Sequence, residues 1–205
     1  GHNYVCVLQD KSRIREMGIV HALGPDRPRL ETFRMPMPGD EGIKQTRVWW
    51  YDADRDEGRY LDIAKYPDQE VELNYFRSDS VLFFTRRSRK GDWVDLCRIR
   101  VREGRVEELI SEHCPPHVNR TLFTYRLIGG GKQILWWSER TGRGNYYLYD
   151  ASGRLLNRVT HGERLVAAEV VRIDERRREM IFKGYGQEGT NPYYAYYYLS
   201  LIHIS

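Results

Sequence analysis

The sequence predicts an all-β fold in which short strands alternate with tight turns. Aliphatic and aromatic runs are separated by polar stretches that contain glycine, which is typical of β-hairpins. The composition agrees, because 13% aromatic residues together with 18 Gly and 8 Pro suit a strand-rich chain with many turns. A pattern of strand, polar turn and aromatic strand also recurs along the 205 residues.

The clearest strands lie in the second half of the chain. They are predicted at 122–128, 133–138, 145–150 and 155–160. Glycine-rich turns separate them, and the connections are too short to hold crossover helices. We therefore expect an antiparallel meander.

An internal repeat supports this reading. A shift of 53 residues places Phe83 and Phe84 over Trp136 and Trp137 without a gap. If the shift reflects structural repetition, the two pairs occupy equivalent second strands of successive sheets, with one member of each pair buried.

Repeats of roughly 40 to 50 residues with four strands each are typical of β-propeller blades. We predict a partial β-propeller of about four blades, each a four-stranded antiparallel sheet. A propeller ring needs at least about four blades, and residues 4–9 already resemble a strand from the middle of a blade, so we expect a fragment of a larger propeller. The predicted propeller covers 1–200, with a departing tail at 201–205 and blade-like repeats near 1–66, 70–113, 120–162 and 164–200.

Charge gives little support for a nucleic-acid partner. The net charge is +4, and basic runs occur at 86–90 and 176–178. Acidic residues flank the second run closely, which indicates a solvated hairpin tip. We expect no nucleic-acid partner.

The cysteines and histidines suggest neither a disulfide framework nor a metal site. Cys6 and Cys97 lie in strand patterns, where a free thiol behaves as a small buried apolar residue. The cluster of His113, Cys114 and His117 lacks a fourth ligand, so a Pro-rich connection is the preferred interpretation. We expect no metal and no cofactor. There is also no signal-like segment and no apolar run of about 18 residues that would span a membrane.

Motifs for catalysis are missing from the sequence. It contains no G-x-S-x-G elbow, Walker loop, H-E-x-x-H or C-x-x-C. Glu107 and Glu108 are adjacent in a strand pattern, so their side chains should face opposite sides of a sheet and form no dyad. We predict no catalytic residue in this chain and no peptidase activity of the chain alone.

Three segments resemble the dipeptidyl peptidase IV branch of the prolyl oligopeptidase family. The most specific is GGGKQILWWSERTGRGNYYLYD at 129–150, in which W-W-S-E-R leads through a glycine turn to an aromatic strand. RPRLETFRMPMPGDEG at 27–42 and NPYYAYYYLS at 191–200 are similar to other blade segments of that family. The similarity extends, with varying strength, over about residues 1–200.

The resemblance implies an N-terminal propeller followed by an α/β-hydrolase domain with a Ser-Asp-His triad, in an enzyme that removes N-terminal dipeptides. This chain would be the substrate-gating propeller portion, with the hydrolase domain and the family's Glu-Glu motif outside it. Its implied partners are a peptide substrate and that C-terminal domain. The resemblance further implies a periplasmic or secreted parent protein and allows a homodimer.

Arg120, in HVNRTLF, is the one candidate substrate-binding residue. In the family, the segment before the W-W-S-E-R blade can approach the substrate, so the resemblance suggests that Arg120 contacts peptide carbonyls. The alternative is a solvated loop arginine.

At the level of the whole protein, the alternative is a stand-alone propeller that binds a protein or glycan. A downstream G-x-S-x-G with later Asp and His in the parent reading frame would favour the peptidase.

Overall fold

A computed structural model describes residues 2–24, 27–78, 81–189 and 191–202, with residues 75–78 described by their backbone alone. These residues contain strands and turns but no helix, so the all-β prediction is confirmed. The strands in the described residues are β1 (Asn3–Asp10), β2 (Glu16–His21), β3 (Arg29–Arg34), β4 (Gln45–Asp52), β5 (Glu57–Leu61), β6 (Glu70–Ser78), β7 (Val81–Arg87), β8 (Trp93–Arg100), β9 (Arg105–His113), β10 (Tyr125–Ile128), β11 (Gln133–Ser138), β12 (Asn145–Asp150), β13 (Leu155–Arg158), β14 (Val166–Asp174), β15 (Glu179–Tyr185) and β16 (Ala195–Leu201).

The strands are arranged in short sheets whose order follows the chain. In the described residues these are β1-β4-β5, β2-β3, β6-β7-β8-β9, β10-β11-β12-β13 and β14-β15-β16. Two sheets thus have the predicted four strands, whereas the first and last large sheets have three. The division of the chain into blades at the predicted boundaries stays a prediction. Of the predicted tail, Leu201 ends β16 and Ile202 is buried, whereas 203–205 lie outside the described residues.

The chain divides into two compact units, residues 1–89 with 99–106 and residues 90–98 with 107–205. In the first unit, β4 pairs with both β1 and β5, and its alternate residues Val48 and Trp50 are buried. The indole nitrogen of Trp50 donates to Asn3 Oδ1 on β1 at 3.1 Å. The hairpin β2-β3 is inserted between β1 and β4 and pairs with no other described strand.

The second unit contains a continuous apolar core. Trp137, Tyr146 and Leu148 from β11 and β12 belong to one buried cluster with Met180 and Phe182 from β15. Backbone carbonyls satisfy the polar ends of the large rings, because Trp137 Nε1 donates to Ala167 O at 2.7 Å and Tyr146 Oη to Ala168 O at 2.5 Å. Burying these rings is a major stabilising contribution, and each polar atom keeps a hydrogen-bond partner.

The predicted equivalence of the two aromatic pairs is confirmed. Phe83 and Phe84 lie on β7, the second strand of its sheet, and Trp136 and Trp137 lie on β11, the second strand of the next. We expected one member of each pair to be buried, whereas all four side chains are buried. In the second unit the reason is clear. Trp137 packs in the core cluster on one face of β11, and Trp136 packs against Phe123 at 4.9 Å between ring centroids.

The strand boundaries follow the sequence closely in this region. The predicted strands 133–138 and 145–150 agree with β11 and β12 residue for residue. The predicted strand 122–128 begins later, at Tyr125, because Asn119 organises a turn in front of it. Asn119 Oδ1 accepts from the backbone nitrogens of Thr121 and Leu122, both at 3.1 Å.

Candidate functional site

A buried carboxylate connects β9 to the W-W-S-E-R segment. Glu112 is only 7% exposed and lies near the end of β9. It accepts hydrogen bonds from Trp136 Nε1 at 2.7 Å, from the Ser138 hydroxyl, and from Arg140 Nη2 at 2.9 Å. The three donors are two residues apart, and alternate residues of a strand face the same side. The spacing of Trp136, Ser138 and Arg140 therefore lets all three reach the same carboxylate.

Arg140 ends the segment, and its side chain is 31% exposed. Its Nε donates to Ser138 Oγ at 2.9 Å, and its guanidinium lies 4.5 Å from the ring centroid of Tyr147 and 5.7 Å from that of Tyr149. Burial by itself would lower the pKa of Arg140, but Tyr149 and Glu112 outweigh it and raise that pKa. Arg140 therefore keeps its positive charge beside Glu112. With three donors bound, the Glu112 carboxylate is an anchor for the end of the W-W-S-E-R segment.

The chain that follows β9 forms a fixed loop. The His113 ring stacks on Trp93, with centroids 4.3 Å apart and an interplanar angle of 13°. Cys114 N donates to Asp92 O at 2.8 Å, and Val118 N donates to Gly91 O at 2.8 Å. The loop is thus attached by its backbone to residues 91 and 92, which precede β8.

Arg120 is exposed and lies within the Asn119 turn, two residues after buried Val118. Its Nη2 lies 3.8 Å from the position that a Cβ on Gly91 would occupy, and Gly91 has a φ of +77°. A side chain at Gly91 would be strained by its backbone conformation, although its Cβ would only be in ordinary van der Waals contact with the guanidinium. Arg120, the residue predicted from the sequence, is therefore accessible. Backbone hydrogen bonds hold the loop before and after it.

The other candidates from the sequence are not brought together into a reactive site. His113 Nε2 is 3.7 Å from Asp92 Oδ2, and within the described residues no group of His, Cys, Asp and Glu could hold a metal ion. Glu107 forms an ion pair with Arg98, whose Nε donates to it at 2.9 Å, whereas Glu108 is exposed.

Each basic run has arginines that are bonded within the protein. In the first unit, Arg86 is buried and donates to Ile63 O at 3.2 Å, and Arg89 donates to Asp68 at 3.0 Å. In the second unit, Arg178 donates to Gln133 Oε1 at 2.9 Å. The predicted solvated hairpin tip at 176–178 has exposed Arg176 and Arg177, whereas Arg178 is half-buried and bonds to Gln133 on β11.

One prediction about the cysteines was wrong. Cys6 is exposed, whereas Cys97 is buried as expected. Cys6 lies on β1, an edge strand of its sheet, and the face that carries Tyr4 and Cys6 is uncovered in the first unit. Cys114 is half-buried, and burial raises the pKa of its thiol.

Glu112 is the main residue that the sequence reasoning missed. Its signal is present but weak: strand alternation places Glu112 on the same side of β9 as buried Ile110. An acid at an inward position needs donors, but nothing local identifies a partner 24 residues further along the chain.

Comparison with known proteins gives the family. The family model described as the dipeptidyl peptidase IV (DPP IV) N-terminal region matches residues 3–202. No curated protein matches the chain significantly by sequence. Among the described residues, none lies in a helix of the length and apolarity that a membrane span requires.

Solved structures give the fold. A protein described as a dipeptidyl aminopeptidase IV from Bacteroides ovatus is similar with a TM-score of 0.72 and 18% identity, over 97% of this chain and 30% of that one. Dipeptidyl peptidase 4 from Porphyromonas gingivalis is similar with a TM-score of 0.82 and 15% identity, over 97% of this chain and 28% of that one. This chain thus spans less than a third of the length of either protein. The predicted partial β-propeller is confirmed, and the chain belongs to the family of dipeptidyl peptidase IV N-terminal regions.

Proposed function

We propose that this chain is the non-catalytic, substrate-gating propeller portion of a serine exopeptidase that removes dipeptides from peptide N-termini. The observation that carries the proposal is the family match over residues 3–202, on a chain that folds as short antiparallel sheets. The hydrolase domain would supply the nucleophile and the oxyanion hole. The propeller would select short unfolded peptides and hold them for that domain.

Arg120 is the residue we assign to substrate contact. A guanidinium offers five N–H donors in a fixed plane, which suits the carbonyl oxygens of an extended peptide. The exposure of Arg120 and the fixed backbone of its loop support this role, because a preorganised donor loses little conformational freedom when it binds.

The same proposal extends to the parent protein. Its partners would be a peptide substrate, a C-terminal α/β-hydrolase domain in the same polypeptide, and a second copy in a homodimer. Its location would be the periplasm or the extracellular space. The similar proteins from Bacteroides ovatus and Porphyromonas gingivalis are bacterial dipeptidyl peptidases, which supports this assignment.

The test separates binding from catalysis. The purified chain should bind a fluorescent peptide that begins with Gly-Pro, and Arg120→Ala should weaken this binding about fivefold or more. The matched control Arg102→Ala, an exposed arginine in the turn between β8 and β9, should leave the affinity unchanged. The chain should release no chromophore from a Gly-Pro anilide and should not react with a fluorophosphonate probe. Equal peptide binding by the two variants would remove Arg120 from the site, and turnover with covalent labelling would contradict a non-catalytic role.

A further inference from the structure

The turn that carries Arg120 is closed by one residue. Asn119 Oδ1 accepts hydrogen bonds from the backbone nitrogens of Thr121 and Leu122, both at 3.1 Å. The Asn119 carbonyl accepts a further hydrogen bond from Phe123 N at 2.9 Å. Arg120 is the residue between Asn119 and the first of these donors, so its backbone lies inside the ring that the side-chain hydrogen bonds close.

Both ends of this turn are anchored within the second unit. Before the turn, Val118 is buried and its backbone nitrogen donates to Gly91 O at 2.8 Å. After the turn, Phe123 packs edge-on against buried Trp136, with ring centroids 4.9 Å apart and an interplanar angle of 78°. The two ends therefore have fixed positions, and the hydrogen bonds to Asn119 hold the backbone of residues 120–122 between them.

The position of the Arg120 guanidinium depends on that backbone. Arg120 is exposed, and its long side chain would spread over many positions if the turn itself moved. A donor that is already held in place loses less conformational freedom on binding than a donor that must first be ordered. Alanine at position 119 would leave the backbone nitrogens of Thr121 and Leu122 without this acceptor, and the turn would lose the interaction that closes it.

We propose that Asn119 is a positioning residue for Arg120. Asn119 does not contact the peptide itself, but holds the backbone from which Arg120 donates to the peptide carbonyls. The inference rests on the proposed contact between Arg120 and a peptide substrate. It adds to that contact the residue on which its affinity depends.

The second unit contains a matched turn that has no proposed role in binding. Asp174 lies at the end of β14, and its Oδ1 accepts from Arg176 N and Arg177 N, both at 3.0 Å. The acceptor thus meets the nitrogens two and three residues further along the chain, as it does at Asn119. Asp174→Ala removes the same kind of interaction and should cause a comparable loss of stability, while the Arg120 turn stays intact.

The first arm of the test compares affinity with stability. The probe is a fluorescent peptide that begins with Gly-Pro, and its binding to the purified chain is followed by anisotropy. Asn119→Ala should weaken binding about threefold, whereas Asn119→Asp retains an acceptor oxygen and should bind within about twofold of wild type. Asp174→Ala should bind like wild type, although its thermal midpoint falls as in Asn119→Ala. Equal loss of affinity in Asn119→Ala and Asp174→Ala would show a general effect of stability and would overturn the proposal.

The second arm separates positioning from an independent contact. If Asn119 acts through Arg120, then Asn119→Ala has no further effect on affinity in an Arg120→Ala background. Additive losses would show that Asn119 acts independently and would overturn its positioning role. Unchanged affinity in Asn119→Ala, together with weaker binding in Arg120→Ala, would overturn the positioning role alone. Unchanged affinity in Arg120→Ala would overturn the proposed substrate contact and the positioning role with it.

Discussion

Strands β12 and β16 are both rich in tyrosine, yet they differ sharply in burial. In β12 (NYYLYD) every residue except the last is buried, and Tyr146 is 0% exposed. In β16 (AYYYLSL) exposed and half-buried residues alternate, and Tyr197 is 68% exposed. Each strand contains three tyrosines and at least one leucine. Their position in the sheet therefore decides what their aromatic residues contribute.

The physical cause is the number of covered faces. One face of β12 packs in the core cluster through Tyr146, which also donates to Ala168 O on β14. On the other face, Tyr147 lies under the Arg140 guanidinium. Among the described residues, β16 is packed on one face, where Tyr198 stacks on Phe182 at 5.5 Å between ring centroids. An aromatic ring on the open face of β16 contributes little burial to the free energy of folding.

The largest effect expected from this comparison is on stability. Tyr146→Ala should lower the free energy of unfolding by about 3–5 kcal/mol, because it removes a fully buried ring and its hydrogen bond. Tyr197→Ala, its counterpart on β16, should change that energy by less than about 0.5 kcal/mol. Urea unfolding followed by tryptophan fluorescence would measure both. If the two variants were destabilised equally, composition and not strand position would be the deciding factor.

A smaller effect on stability is expected at Glu112, the buried acid of β9. Glu112→Gln retains the shape of the side chain but removes the charge that holds Arg140 and one acceptor oxygen. We expect a loss of about 1.5–3 kcal/mol in the free energy of unfolding, as for hydrogen bonds to charged groups.

The control for this change lies on the same strand. Glu108→Gln alters an exposed acid of β9 and should change the unfolding energy by less than about 0.5 kcal/mol. The tryptophan emission of Glu112→Gln should also shift relative to wild type, since Trp136 Nε1 donates to Glu112. An unchanged midpoint in Glu112→Gln would mean that the buried network contributes nothing net.

Local patterns were sufficient to predict the strands of this region. The runs 133–138 and 145–150 have β-forming residues between glycine turns, and both boundaries agree with β11 and β12. The strand before them was predicted three residues too early, because Leu122 is apolar but belongs to the turn that Asn119 organises. A local pattern cannot distinguish an apolar turn residue from the start of a strand when a side chain caps the turn.

Burial and pairing were harder to predict. Cys6 was expected to be buried because it lies in a strand pattern, but whether a strand face is covered depends on neighbours far away in sequence. The partners of Glu112 are 24 to 28 residues distant, so no short motif identifies them. Arg120 was singled out by resemblance, and the structure adds its exposure and the loop that holds it. Its contact with a substrate stays a prediction.

The smallest expected effect is on the pH dependence of the unfolding free energy, and it distinguishes buried Tyr146 from the exposed tyrosines. Burial raises the pKa of Tyr146 well above its ordinary value of 10.0, because the ionised phenolate would lose its hydration; Arg126 opposes this shift weakly. In the unfolded chain Tyr146 releases its proton near pH 10, whereas in the folded chain it keeps it. Stability from this residue is therefore complete below pH 10 and is lost as the pH rises above it, by about 1.4 kcal/mol at pH 11.

Tyr146→Phe removes that dependence. The variant should be about 1 kcal/mol less stable at pH 8, because the hydrogen bond to Ala168 O is lost. Between pH 9 and pH 11 its unfolding energy should fall less steeply than that of wild type. Tyr197→Phe provides the matched control from β16, because it removes the hydroxyl of an exposed tyrosine. Other tyrosines with raised pKa values, such as Tyr149 and Tyr198, contribute equally to all three proteins and cancel in the difference. Parallel pH slopes in wild type and Tyr146→Phe would show that solvent reaches the Tyr146 hydroxyl, and that β12 is no better covered than β16.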